Sequence, residues 1–163
     1  MLRKLVMIGV LAALAGMVVG GASLATAEGH RHATTLTLKS TTIDDTDLNL
    51  GPRSFGVGDQ FLFRERLRTT EGKRVGTAHG VCSATEVNER AQRVSFRCGV
   101  TFVFGRHTSI DVSGVVTFSP ANEGKPFFLP LTGGSGRYIG VEGELRVLET
   151  SDTTSIYRFR FVE

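Results

Sequence analysis

From residue 34 to the end, apolar and polar positions alternate in short runs, and no long stretch of 3.6-residue period interrupts them. β-branched and aromatic residues occupy many of the apolar positions, a pattern that predicts strands rather than helices. The expected strands are Thr34–Thr41, Gln60–Thr69, Arg74–Thr85, Arg93–Phe104, Ser109–Phe118, Pro126–Leu131, Glu144–Glu149 and Thr153–Val162. Turn signals stand between several of them: Thr70-Glu71-Gly72, Gly105-Arg106-His107, Asn122-Glu123-Gly124 and Thr150-Ser151-Asp152. Eight strands with short reversals predict an all-β, eight-stranded antiparallel barrel, with a β-sandwich as the main alternative. Closure removes the unpaired edges that an open sheet would leave.

Alternation also assigns faces. Val94, Phe96, Cys98, Val100, Phe102 and Phe104 share one side of their strand, which is expected to be the interior. The preceding strand turns Gly76, Ala78, Gly80, Cys82 and Ala84 the same way. Cys82 and Cys98 are symmetric about Arg90, and the polar segment Glu86–Gln92 around that centre reads as the hairpin loop. In this register the two cysteines face each other, Ala84 opposes Phe96, Ala78 opposes Phe102 and Gly76 opposes Phe104. Small residues opposite large ones are how a narrow barrel fits its side chains. A Cys82–Cys98 disulfide is therefore expected, worth about 3 kcal/mol for the segment it closes. Phe61, Phe63, Glu65 and Leu67 line one face of their strand, as do Ile110, Val112, Gly114, Val116 and Phe118, and Ser155, Tyr157, Phe159 and Phe161. A barrel of this size either fills its interior or holds one small ligand.

The first 27 residues have a different character. Arg3 and Lys4 precede the apolar run Leu5–Val19, and Ala25-Thr26-Ala27 has the small residues of a cleavage site, so residues 1–27 read as a signal peptide. The apolar run is shorter than the roughly 20 residues that span a bilayer, which argues against the alternative of a retained anchor. Removing 27 of 163 residues leaves a single domain, residues 28–163, of 136 residues. Arg3 and Lys4 leave with the leader, so 17 of the 19 basic residues remain against all 16 acids, for a net charge of +1. That balance gives no support to a nucleic-acid partner. Export also places the two cysteines where disulfides persist, and the expected location is secreted or cell-envelope.

One stretch stands apart, Phe128–Leu145, in which glycines cluster between two apolar runs. The turn Gly133-Gly134-Ser135-Gly136 reads as a forced reversal, since glycine reaches backbone angles closed to other residues. Pro130–Val147, PLTGGSGRYIGVEGELRV, resembles the Gly-Gly-x-Gly corner of the allene oxide cyclase and dirigent barrel superfamily. Val57–Phe63, Gly72–Gly76 and Gly80–Cys82 are similar to the Gly-Asp strand, basic hairpin turn and Gly-x-Cys strand of plant allene oxide cyclases. A third block, Val100–Phe104 and Ile110–Gly114, extends the resemblance over most of Val57–Phe161. The resemblance implies a calycin-like barrel whose interior holds an apolar, oxygenated small molecule. Allene oxide cyclases close a fatty-acid-derived epoxide, dirigent proteins orient phenoxy radicals, and similar bacterial barrels cyclise polyketides. A shaped apolar pocket that selects one reactive conformer is common to all three. This chain departs from those patterns at three places. Leu36–Thr42 carries no acid, Glu65 stands where the cyclases place an asparagine, and Arg137 and Glu142 reverse the charges of the dirigent corner.

Glu65 and Tyr157 are the candidate catalytic residues. Among Phe61, Phe63 and Leu67 the Glu65 carboxyl would be desolvated, which raises its pKa and suits it to acid–base work; the alternative is a strand end that turns it out to solvent at the rim. Phe61, Phe63, Phe96, Val100, Phe102, Val112 and Phe159 are the expected ligand-cavity residues. His79 has outward parity, and no catalytic triad, phosphate loop or Cys-x-x-Cys metal site is recognisable. If cleavage follows Ala27, the new N-terminus Glu28-Gly29-His30 offers an amine, two amides and the His30 imidazole, a nitrogen set suited to Cu(II) or Ni(II); the alternative is a tail whose histidines do nothing. The expectation is an exported barrel that binds an apolar small molecule and steers its cyclisation or stereoselective coupling without a cofactor. The competing reading is a non-enzymatic barrel with a filled core, acting through its outer surface in the envelope. Neither reading expects a nucleic-acid partner or stable membrane insertion after leader removal, and both leave a homo-oligomer open.

Overall fold

Eight strands run up and down in chain order, each antiparallel to the next, and the last pairs with the first to close a barrel. The computed structural model describes residues 33–52 and 55–162. The expected leader, its cleavage site and His30 lie outside the described residues. The strands are β1 (Ala33–Leu48), β2 (Gln60–Arg68), β3 (Arg74–Asn88), β4 (Arg93–Gly105), β5 (Thr108–Phe118), β6 (Phe127–Ser135), β7 (Glu142–Ser151) and β8 (Thr154–Val162). The fold class is the expected one, because the alternation that predicts strands also supplies a continuous apolar inner face.

The β3–β4 hairpin carries the expected register through its centre: Cys82 faces Cys98, Ala84 faces Phe96 and Ala78 faces Phe102. Two details differ. The ladder begins at Thr77 opposite Val103, and Gly76 presses against the chain instead, since a Cβ there would lie 2.1 Å from the Val103 carbonyl oxygen. A bulge between Ala84 and Glu86 lets pairing continue to Asn88, so the expected loop shrinks to residues 89–92. Glu86 gains by this. Its carboxylate pairs with Arg93 and accepts a hydrogen bond from Ser95 Oγ at 3.2 Å.

β1 runs well past its expected end at Thr41. A bulge between Thr42 and Asp44 keeps the acidic segment in register with β2, so that Asp45 faces Phe63 and Asp47 faces Phe61. The polarity of this segment reflects its exposed position, not a loop.

The glycine corner is also not the expected turn. Gly133 and Gly134 belong to β6 and face Asp111 and Ile110 of β5, and the chain reverses only at a short 3-10 turn, Gly136–Tyr138. A Cβ on Gly134 would lie 2.5 Å from the Tyr138 carbonyl oxygen and 2.8 Å from that of Ser109. Gly136 has φ of +61°, and a Cβ there would meet the His107 carbonyl oxygen at 2.4 Å. Close backbone approach is the reason for these glycines.

The turns divide between the two barrel ends. One end carries the β1–β2, β3–β4, β5–β6 and β7–β8 connections, and the other carries the β2–β3 and β4–β5 turns and the glycine corner. The corner end is filled. Tyr138 stacks on Phe161 with centroids 5.7 Å apart and tilts against Phe104 at 5.6 Å. Further in, Phe102 meets Phe159 edge to face at 4.9 Å, within a core that includes Leu38, Leu67, Ile110 and Leu145.

Candidate functional site

Above that packed half the barrel is hollow. A cavity of ≈810 Å³ opens at the end carrying the β5–β6 and β7–β8 connections. Inward alternation on β2 and β4 brings Phe61, Phe63, Phe96, Val100 and Phe102 to its wall, with Glu65 and Tyr157 deeper in. Gly80 on β3 makes room for one wall ring, since a Cβ there would lie 2.2 Å from Phe63 Cζ. The Cys82–Cys98 disulfide forms and is itself part of the lining.

Two expected cavity residues are elsewhere. Val112 and Phe159 are buried but are not among the lining residues; Phe159 lies in the packed half, against Phe102. Parity put them inside the barrel correctly; depth along the axis is what it could not supply.

Glu65 and Tyr157 meet across β1. The Tyr157 hydroxyl donates to Glu65 Oε2 at 2.6 Å, and each residue is only 5 % exposed. The Phe102 ring stands edge-on to Tyr157 at 5.1 Å and holds the phenol in place. Burial pushes the Glu65 carboxyl above its ordinary range and the nearby Glu149 carboxylate adds to this, while hydrogen bonding from Tyr157 and Ser40 offsets part of the rise. Burial, then the Glu65 charge, raises the Tyr157 phenol well above its usual value, so at neutral pH it is a proton-bearing donor. The pair can hold a proton deep in an apolar pocket and offer a hydrogen bond to an oxygen or nitrogen placed against it.

Ser40, Leu145, Val147, Glu149, Phe118 and Phe127 were not among the residues expected at the site. Ser40, 2 % exposed on β1, has one O–H to share between the Glu65 carboxyl and the Ser155 carbonyl, the latter at a long 3.5 Å. Period-2 parity with Leu36 and Leu38 could have found Ser40, and parity along β7 could have found Leu145, Val147 and Glu149. Period-2 parity turns Phe118 the same way as Val116, and Phe127 the same way as Leu129. They meet at 5.7 Å only because β5 and β6 are brought side by side. Arg137 and Glu142 line no part of the cavity; Arg137 lies over the Tyr138 ring at the filled end, 4.9 Å from its centroid. His79 is exposed, as expected, and shares a hydrogen bond with Thr77 Oγ1.

A closed eight-stranded antiparallel barrel, packed at one end and hollow at the other, leaves room for a small molecule in its open half. The allene oxide cyclase barrel like domain matches residues 34–162, and the chain belongs to that family. Among solved structures it is similar to a pyocyanin demethylase, with 25 % identity and a TM-score of 0.68, covering 78 % of this chain and 99 % of that one. It also resembles the Diels–Alderase AbmU from Streptomyces koyangensis, with 19 % identity and a TM-score of 0.62, covering 83 % of this chain and 69 % of that one. The pterocarpan synthase dirigent protein GePTS1 shares the barrel at 14 % identity and a TM-score of 0.59, covering 82 % of this chain and 89 % of that one.

Proposed function

We propose that this protein is an exported barrel that binds one small, largely apolar molecule in the open half of its interior and steers that molecule's cyclisation, coupling or isomerisation. Glu65 is the proton-transfer group, Tyr157 is the hydrogen-bonding partner that orients it, and no cofactor takes part. The observation that carries this reading is the Tyr157–Glu65 hydrogen bond at 2.6 Å, set in a cavity walled by Phe61, Phe63 and Phe96. A carboxyl whose ionisation burial opposes is suited to protonating a ligand oxygen as charge develops there. The aromatic walls restrict the conformers from which reaction starts. Family membership supports a ligand-holding barrel, and the similarity to a pyocyanin demethylase brings small aromatic molecules into the substrate class. The leader-like N-terminus and the disulfide support export.

Native mass spectrometry of protein recovered from its producing cells would read any retained small molecule. With that molecule as substrate, Glu65→Gln is expected to lower kcat by about 100-fold or more while binding changes little. Unchanged turnover in both Glu65→Gln and Tyr157→Phe sinks the catalytic assignment. Failure to bind any compound of a broad small-molecule panel favours the non-enzymatic barrel.

A further inference from the structure

The charge of the cavity differs from the charge of the barrel that surrounds it. Its ionisable lining residues, among the described ones, are the acids Glu65, Glu123, Glu149 and Asp152, the phenol Tyr157 and a single lysine, Lys125. Outward alternation on β2 and β8 carries instead Arg64, Arg66, Arg68, Arg158 and Arg160. A chain with more basic than acidic residues has thus gathered carboxylates at the mouth and wall of this hollow. Lys125 does not balance them freely, because its ammonium donates to the Ala121 carbonyl of its own loop at 2.7 Å.

We infer that this cavity selects its ligand by charge, taking a planar aromatic cation in preference to a neutral or carboxylate-bearing molecule of the same shape. The inference rests on the reading of the cavity as a small-molecule site. Two features act together. The ring faces of Phe61, Phe63 and Phe96 attract a cation through their quadrupoles, and flat apolar walls suit a flat ligand. Glu65 acts within a low-dielectric interior, where charge is felt more strongly than in water, while Glu123, Glu149 and Asp152 act from the solvent-facing mouth, where water and salt weaken them. A carboxylate ligand meets three like-signed groups near the mouth and Glu65 behind them.

A proton signature follows. Glu65 and Glu149 are both held above the ordinary carboxyl range by burial, and the titratable groups facing them are Tyr157, Glu123, Lys125 and Asp152. A bound cation favours their ionised forms, so binding should release protons and tighten as pH rises through the raised range. A bound anion should do the reverse.

The test uses three-ring probes of nearly one shape, 10-methylacridinium, phenazine and phenazine-1-carboxylate, titrated into the full exported protein at mildly alkaline pH and low salt. The cation is expected to bind about tenfold or more tighter than phenazine, and phenazine tighter than the anion, with the ratios shrinking as salt is added. Calorimetry in two buffers of different ionisation enthalpy, repeated at mildly acidic pH where the raised carboxyls still hold protons, should register proton release with the cation alone. Glu149→Gln/Asp152→Asn should narrow the cation-to-neutral ratio to within about threefold. If the anion binds as tightly as the cation, or the double variant leaves the ratio unchanged, the charge inference is overturned and the cavity reading stands. No saturable binding by any of the three overturns both.

Discussion

Glu65 is a carboxyl whose ionisation the barrel opposes, and its linkage to folding has a definite sign. Its folded pKa lies above the unfolded value, so the folded state holds a proton that the unfolded state has released at intermediate pH. Stability should therefore fall as pH rises from about 4.5 through the raised value, by up to 1.4 kcal/mol per pH unit, and level off above it. Glu65→Gln removes that slope, which denaturant titration over a pH series would read; parallel pH profiles for the two proteins would refute the assignment. Tyr157→Phe takes away the donor facing Glu65 Oε2 and leaves a buried carboxyl with one partner fewer. It should cost about 1–3 kcal/mol and shift the Glu65 transition further upward.

At the level of elements, the glycine corner separates two explanations that a sequence alone merges. Gly133, Gly134 and Gly136 look equivalent as letters, yet a Cβ on Gly133 would meet nothing closer than Asp111 Oδ2 at 4.0 Å. At Gly134 and Gly136 it would meet backbone oxygens at 2.5 and 2.4 Å, and Gly136 is also in the left-handed region. Gly133→Ala should change stability by less than about 1 kcal/mol, while Gly134→Ala and Gly136→Ala should each cost more than about 2 kcal/mol. Equal costs at all three positions would refute the close-approach account. The same element shows where sequence reading stopped short. Alternation located β6 but ended it at Leu131, because four small residues carry no apolar signal; pairing with β5 extends it to Ser135. In β1 the alternation fades beyond Thr41 for a related reason, its acidic half being exposed and mostly polar.

In the whole molecule, the Cys82–Cys98 bond joins adjacent strands at the cavity wall rather than tying distant parts of the barrel together. The β3–β4 ladder continues on both sides of it, so closure does not depend on the bond. Replacing both cysteines by alanine should lower unfolding stability by about 2–4 kcal/mol and leave the far-ultraviolet dichroism of the folded barrel unchanged. Loss of the β signal under native conditions would contradict this. Strand number, inner and outer faces, the central β3–β4 register and the presence of an inward carboxylate on β2 follow from the sequence by itself, because each rests on period-2 alternation or local symmetry. Which inward residues fill the barrel and which surround a hollow is decided only by the tertiary structure. Val112 and Phe159 share the parity of cavity residues, yet they are buried and line no part of the cavity. The partnership of Glu65 with Tyr157, 92 positions apart, likewise requires β8 to return to β1. Alternation records direction from the sheet, while depth along the axis and contact across the interior come from strand tilt and closure.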